Sequence, residues 1–250
     1  MTPQADDTDA LRVDALSKRY GALAALDGVS LRVARGEAFG LVGANGAGKT
    51  TLIRCLLDLA ACDAGAIRIF GEPARQAESR RHLAYLPERF EPPPYLTGAE
   101  FLRTLLSLGG AAYDAARSAA LAEELGLERA ALERPAHSLS KGMAQKVGLA
   151  ACLLAPRQLY VLDEPMSGLD PAARVAVKDV LARLNREGRT LFFTSHVLAD
   201  VEELCTSIAV LERGRLRFGG SPAELRARYG EASLERAFLR CIRDAAPARA

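Results

Sequence analysis

The sequence predicts an α/β protein: a core with a mainly parallel sheet, an N-terminal antiparallel β region and an inserted helical subdomain. Three observations lead to the parallel core and the inserted block. Strand-like and helix-like segments alternate along most of the chain, the mark of a parallel sheet covered by helices. Leu159 to Leu162 are apolar at every position, as in a strand buried on both faces. A block from about Gly98 to Pro135 breaks the alternation and carries helical periodicity alone.

The elements follow in order. Leu11 to Tyr20 and Val29 to Val33 form the early β segments, and Glu37 to Val42 is a short strand ending at a glycine-rich loop. A helix is expected over Gly48 to Leu59, then strands at Ala66 to Phe70 and Leu83 to Leu86. Gly98 to Leu108 and Asp114 to Leu127 read as helices, with Phe101, Leu102, Leu105 and Leu106 at three- and four-residue spacing. The segment PERFEPPPYLTG leads into them, stiffened by Pro92, Pro93 and Pro94. Ser140 to Ala155 is a helix stopped before Pro156, and Pro171 to Arg186 one with proline in its first turn and Gly188 past its end. Thr190 to Thr194 is a strand, His196 to Cys205 a helix, and Ile208 to Leu211 a strand that returns through Gly214 to Leu216 to Phe218. Helices near Pro222 to Tyr229 and Leu234 to Ile242 precede a frayed tail, DAAPARA.

Composition excludes several classes. The chain has 250 residues and a formal net charge of +2, so nothing in its charge demands a polyanion such as nucleic acid. Cys55, Cys62, Cys152, Cys205 and Cys241 form no C-x-x-C pair and have no histidine at ligand spacing. That argues against a zinc site or disulfide framework and for scattered, mostly buried thiols in a reducing cytosol. The start, MTPQADDTDA, is polar and acidic, unlike a signal peptide. The longest apolar run, around Val147 to Ala155, falls far short of the roughly 20 residues that span a bilayer. His82 and His137 read as surface or structural, and Arg80 with Arg81 as a solvated helix face.

GANGAGKT, Gly43 to Thr50, fits G-x-x-x-x-G-K-[ST] between a strand and a helix, the context of a phosphate loop and a P-loop NTPase core. Gly43, Gly46 and Gly48 let backbone N–H groups of the loop, Ala44, Asn45 and Ala47 included, converge on phosphate oxygens at a helix N-terminus. Lys49 brings a point charge to the β and γ phosphates, the Thr50 hydroxyl can bind Mg²⁺, and Thr51 can bond a neighbouring phosphate. The strand LYVL runs into Asp163 and Glu164. Acids at the carboxyl end of such a strand should meet that loop, Asp163 holding Mg²⁺ and Glu164 orienting or deprotonating the attacking water. Between these motifs lies LSKGMAQKV, with Ser140 at a helix start and Gly142 beside it, a second anion site. Two anion sites so far apart in one chain suggest ATP held between two protomers.

Taken together the chain resembles the ATP-binding subunits of ABC transporters, from about Leu11 to Gly219. Tyr20 resembles the adenine-stacking aromatic, GANGAGKT the Walker A loop, and YLPE at Tyr85 to Glu88 the Q-loop. LSKGM resembles the signature motif, LYVLDEP the Walker B strand, SGLD at Ser167 to Asp170 the D-loop, and TSH ending at His196 the switch histidine. The resemblance implies one ATP-binding domain over 1–250. Its core with the β region is expected at 11–97 and 136–219, its helical subdomain at 98–135 and its C-terminal helices at 220–250. It also implies Mg-ATP on Walker A capped by Ser140 and Gly142 of a second ATP-binding subunit, a homodimer being expected, with His196 at the γ-phosphate and Glu88 on Mg²⁺. The partner it implies is an integral-membrane permease on another chain, holding this one at the cytoplasmic face and seating a short helix in a groove beside the Q-loop.

Glu88 stands where many relatives have glutamine, Met143 replaces the glutamine of LSGGQ, and Lys141 its first glycine. LPE, SKGM and the ending SLERAFLRC resemble the subgroup serving export-type permeases, which implies export. Two alternatives stand beside transport. One is a soluble ATPase of the same superfamily acting on DNA or ribosomes, where a long coiled coil, a zinc module or a second ATPase copy is usual and this sequence has none. The other is a regulatory module that binds ATP without turnover, against which Lys49, Asp163, Glu164 and His196 argue.

Overall fold

The computed structural model describes residues 9–244. The polar start and most of the tail lie outside the described residues. β1 (Asp9–Tyr20), β2 (Leu23–Ala34), β4 (Ala64–Ile69) and β5 (Glu72–Pro73) form an antiparallel sheet in the order β2-β1-β4-β5. The second sheet contains β3 (Ala38–Val42), β6 (Leu83–Leu86), β7 (Leu159–Leu162), β8 (Thr190–Ser195), β9 (Ser207–Glu212) and β10 (Arg215–Gly220), in the order β10-β9-β3-β8-β7-β6. All its neighbours pair parallel except the β9–β10 hairpin. The expected fold class is borne out.

Why β7 is apolar throughout is visible in its packing. Leu159 and Val161 point into a core between the two sheets, shared with Leu52, Ile53 and Leu56 of α1 (Lys49–Leu56). Tyr160 and Leu162 point into a second core on the opposite face, under helices. β8 does the same, with Phe192 on one side and Leu191 and Phe193 on the other. Alternation is lost because neither face meets water.

The helical block consists of α2 (Gly98–Leu108), α3 (Ala115–Glu124) and the short α4 (Arg129–Leu132). α2 begins at a capping box, in which the Thr97 hydroxyl accepts from Glu100 N at 3.2 Å and the Glu100 carboxylate accepts from Thr97 N at 2.8 Å. Such a cap is worth about 1 kcal/mol. Entry and exit of the block are pinned side by side: Thr97 bridges Pro135, and Ala136 N donates to Leu96 O at 2.8 Å. α5 (Lys141–Leu154) then leads back to β7, and α6 (Pro171–Arg186), α7 (Leu198–Leu204), α8 (Pro222–Tyr229) and α9 (Leu234–Asp244) complete the chain.

Several expectations need correction. α1 ends at Leu56 rather than Leu59, because the chain turns through Asp58 with φ +59°. α3 stops at Glu124, ahead of Gly126 at φ +71°. β2 starts at Leu23, six residues earlier than Val29, because pairing with β1 overrides the poor strand preference of the alanines. His196 lies in the loop before α7, whose first residue is Leu198. Arg80 and Arg81 sit in a 3-10 turn, 77–82, where only Arg81 is a solvated face. Arg80 is half-buried, donating to Ala74 O and standing 3.6 Å from Asp58. His137 is structural, its Nδ1 2.8 Å from Pro94 O, and His82 packs edge-on against Phe70. Four cysteines are buried and Cys62 half-buried.

Candidate functional site

A cavity of about 650 Å³ opens where the carboxyl ends of β3, β7 and β8 meet the antiparallel sheet. Tyr20, Ala44 to Thr51, Glu88, Asp163, Glu164 and His196 all line it. Gly43 lies just behind; a Cβ there would stand 2.4 Å from Leu211 O, so no larger residue fits. Gly48 enters α1 with φ +113°, a conformation closed to side chains. Gly46, by contrast, has nothing within 4 Å of a Cβ position, leaving its backbone bare toward the cavity.

The charged groups are locked together. Lys49 is buried, its Nζ donating to Gly43 O at 2.6 Å and standing 3.6 Å from Glu164 Oε1. Thr50 Oγ1 donates to Asp163 Oδ2 at 3.2 Å. Asp163 is 1% exposed, and its pKa is raised first of all by burial, with the Glu88 and Glu164 charges adding to this and the bonds from Thr194 and Thr50 opposing it. A hydroxyl and a buried carboxylate side by side, with a second carboxylate on Glu88 lining the same cavity, form an oxygen donor set of the kind that suits a hard divalent cation. Burial also pushes the neighbouring Tyr85 hydroxyl up to about 12, and the Asp163 charge adds to that.

Glu164 takes a left-handed backbone, φ +48°, unusual for a residue with a side chain. Its Oε2 lies 2.8 Å from His196 Nδ1, whose side chain is 58% exposed and lines the cavity. Thr194 holds this turn. It is fully buried; its Oγ1 donates to Asp163 Oδ1 at 2.6 Å and accepts from Glu164 N at 2.9 Å. No motif gives Thr194 a role, although a buried hydroxyl in the strand TLFFTS must find a partner. Thr194→Val removes both bonds at nearly constant volume. It is expected to lower the unfolding free energy by about 1–3 kcal/mol in urea titrations, with Thr194→Ser close to the parent.

Ser140 and Gly142 are not brought to this cavity. Ser140 is the N-cap of α5, its hydroxyl accepting from Met143 N at 3.2 Å. Gly142 has only ordinary packing nearby, Gly168 O at 3.4 Å from a Cβ position. Leu23, Ala24, Ala25 and Arg213 also line the cavity and were missed, since no motif marks them. A second groove of about 620 Å³, lined by Phe90, Pro92, Pro94, His137, Leu139 and Lys141 among others, shares Glu88 with the first.

The loop, the buried acids and the sheet order define a P-loop nucleotide-binding cassette. The family model described as ABC transporter matches residues 26–167. The chain belongs to the ABC transporter family. It is 41% identical over 200 residues to an uncharacterized ABC transporter ATP-binding protein of Synechocystis sp., covering 79% of this chain and 56% of that one. A second such protein, from Nostoc sp., is 41% identical over 80% of this chain and 61% of its own. The chain thus spans about three-fifths of the length of these two relatives. It is 39% identical to the Nod factor export ATP-binding protein I of Paraburkholderia xenovorans, over 86% of this chain and 72% of that one. A solved structure described as the ATP-binding subunit of an ABC transporter superposes with TM-score 0.83 at 34% identity, covering 93% of this chain and 99% of the other. A dimeric ATP-binding cassette bound to ADP and Pi has TM-score 0.77 at 21% identity, a likeness of fold alone. Among the described residues no helix is long and apolar enough to cross a membrane.

Proposed function

We propose that this chain is the ATP-hydrolysing subunit of an exporter, dimerising around two Mg-ATP and driving a permease encoded on another chain. The observation that carries this reading is the convergence of Tyr20, the Gly43–Thr51 loop, Asp163, Glu164 and His196 on one cavity. In it the adenine stacks on Tyr20, while the loop N–H groups and Lys49 hold the phosphates. Thr50, Asp163 and Glu88 would hold Mg²⁺, which would supply positive charge against the phosphates. Glu164 accepts a proton from the attacking water as its oxygen bonds to the γ-phosphorus and the bond to the β-bridging oxygen breaks. His196 turns from Glu164 to the γ-phosphate, where a donor stabilises the charge that develops in the transition state.

Ser140 and Gly142 support a dimer because they stand apart from their own chain's cavity, and packing within the chain gives no reason for a glycine at 142. They cap the ATP of a second copy. The chain acts as a single ATP-binding domain at the cytoplasmic face, and the apolar side of the Phe90–Leu139 groove seats a short permease helix. Export is favoured by the residues of LPE and SKGM and by relatives named for export. The permease selects the cargo.

A tagged chain recovered from detergent-solubilised host membranes tests the proposal. A co-purifying multi-span membrane protein, identified by mass spectrometry, is the expected result. Recovery with nucleic acid or ribosomes and no membrane protein would leave the ATP chemistry standing and remove the transport role.

A further inference from the structure

The cavity has two flanks, divided by β3 and its loop. β8 and β7 lie on one side of β3 and bring His196, Asp163 and Glu164; β9 lies on the other. Acidic groups crowd the first flank. On the second, Arg213 is the charged side chain that lines the cavity, next to the wall of Tyr20 and Leu23 to Ala25.

Its position is built. Arg213 and Gly214 are the two-residue turn of the β9–β10 hairpin, with φ +48° and +75°. Such turns favour asparagine or glycine at the first place, so a long cation there is held against backbone preference. The turn is tied to the phosphate loop, Gly214 N donating to Ala47 O at 2.9 Å, and to β2, Asp27 N donating to Gly214 O at 2.8 Å. Glu212, the nearest anion, leaves the guanidinium available: Arg213 Nε is 3.4 Å from it, Arg217 approaches its other oxygen at 3.5 Å, and the Arg213 side chain is 72% exposed.

We infer that Arg213 is a nucleotide-binding residue, its guanidinium engaging the α-phosphate between the base at Tyr20 and the phosphates on the loop. The inference rests on the ATP-site reading above. Guanidinium donors match phosphate oxygens in pairs, and the α-phosphate is common to ATP and ADP. Arg213 therefore sets affinity for both alike and leaves the chemistry at Glu164 untouched.

The test is calorimetric titration of the full chain with ADP, and with ATP in a Glu164→Gln background. Arg213→Gly removes the cation and relaxes the left-handed backbone, so unfolding does not confuse the result. It is expected to weaken both nucleotides by the same factor, roughly three- to tenfold, with KM raised and kcat unchanged. Arg213→Glu should weaken them further, Arg213→Lys should restore part of the loss, and the difference from the parent should shrink as salt rises. Unchanged affinity in Arg213→Gly, a loss confined to ATP, or a fall in kcat at constant KM would each overturn the inference. A parent chain that binds neither nucleotide would instead remove the ATP-site reading itself.

Discussion

Replacing Glu164 by glutamine is expected to slow ATP hydrolysis at least about a hundredfold while leaving ATP binding intact, as loss of a general base does. Glutamine has the same shape, tolerates the same left-handed backbone no worse, and can still meet His196 across 2.8 Å. What it cannot do is take a proton from water. A second consequence follows from the proposed sandwich: with ATP bound and not consumed, the closed dimer should accumulate. Phosphate release and gel filtration in Mg-ATP read the two effects separately. Hydrolysis at the parental rate would remove Glu164 from its role as base, and an unimpaired arrest without dimer would speak against Ser140 and Gly142 as the cap.

Lys49→Ala should act earlier, on binding. The ammonium is buried and its partners in this structure are the Gly43 carbonyl, at 2.6 Å, and the Glu164 carboxylate, at 3.6 Å. Nucleotide phosphates replace these with stronger, charge-assisted bonds. Such bonds are worth about 1.5–3 kcal/mol, so ATP affinity is expected to fall about ten- to a hundredfold by titration calorimetry. Arginine should not substitute fully, because a planar, delocalised guanidinium does not reproduce the compact point charge of the ammonium. Unchanged affinity in Lys49→Ala would count against the phosphate-loop assignment. The two variants divide the cycle: one binds and does not hydrolyse, the other fails before chemistry begins.

How much of this was legible beforehand depends on how local the cause is. β6, β7, α2, α6 and α8 appear with the bounds read from the residues, because caps, prolines and glycines at their ends act within a few positions. β2 was half missed, since Leu23 to Ala25 become strand only by pairing with β1. The phosphate loop, the buried acids and His196 announce themselves by residue type at fixed spacing. Thr194 and Arg213 do not. Thr194 matters because Asp163 and Glu164 arrive from another strand, and Arg213 because a hairpin distant in sequence folds beside Ala47. Contacts of that kind belong to the tertiary fold and leave no periodic trace in the chain.

The pinned neck of the helical block has a consequence for how such a chain can change over time. Because Thr97 and Pro135 lie side by side, the sheet perceives everything between them as a loop whose two ends coincide. The block can change length between those two points without lengthening the path from β6 to α5, provided that the apolar faces of α2 and α3 that pack against α5 are kept. The outward face of the block is therefore freer to vary than the sheet that carries the phosphate loop, Asp163, Glu164 and His196.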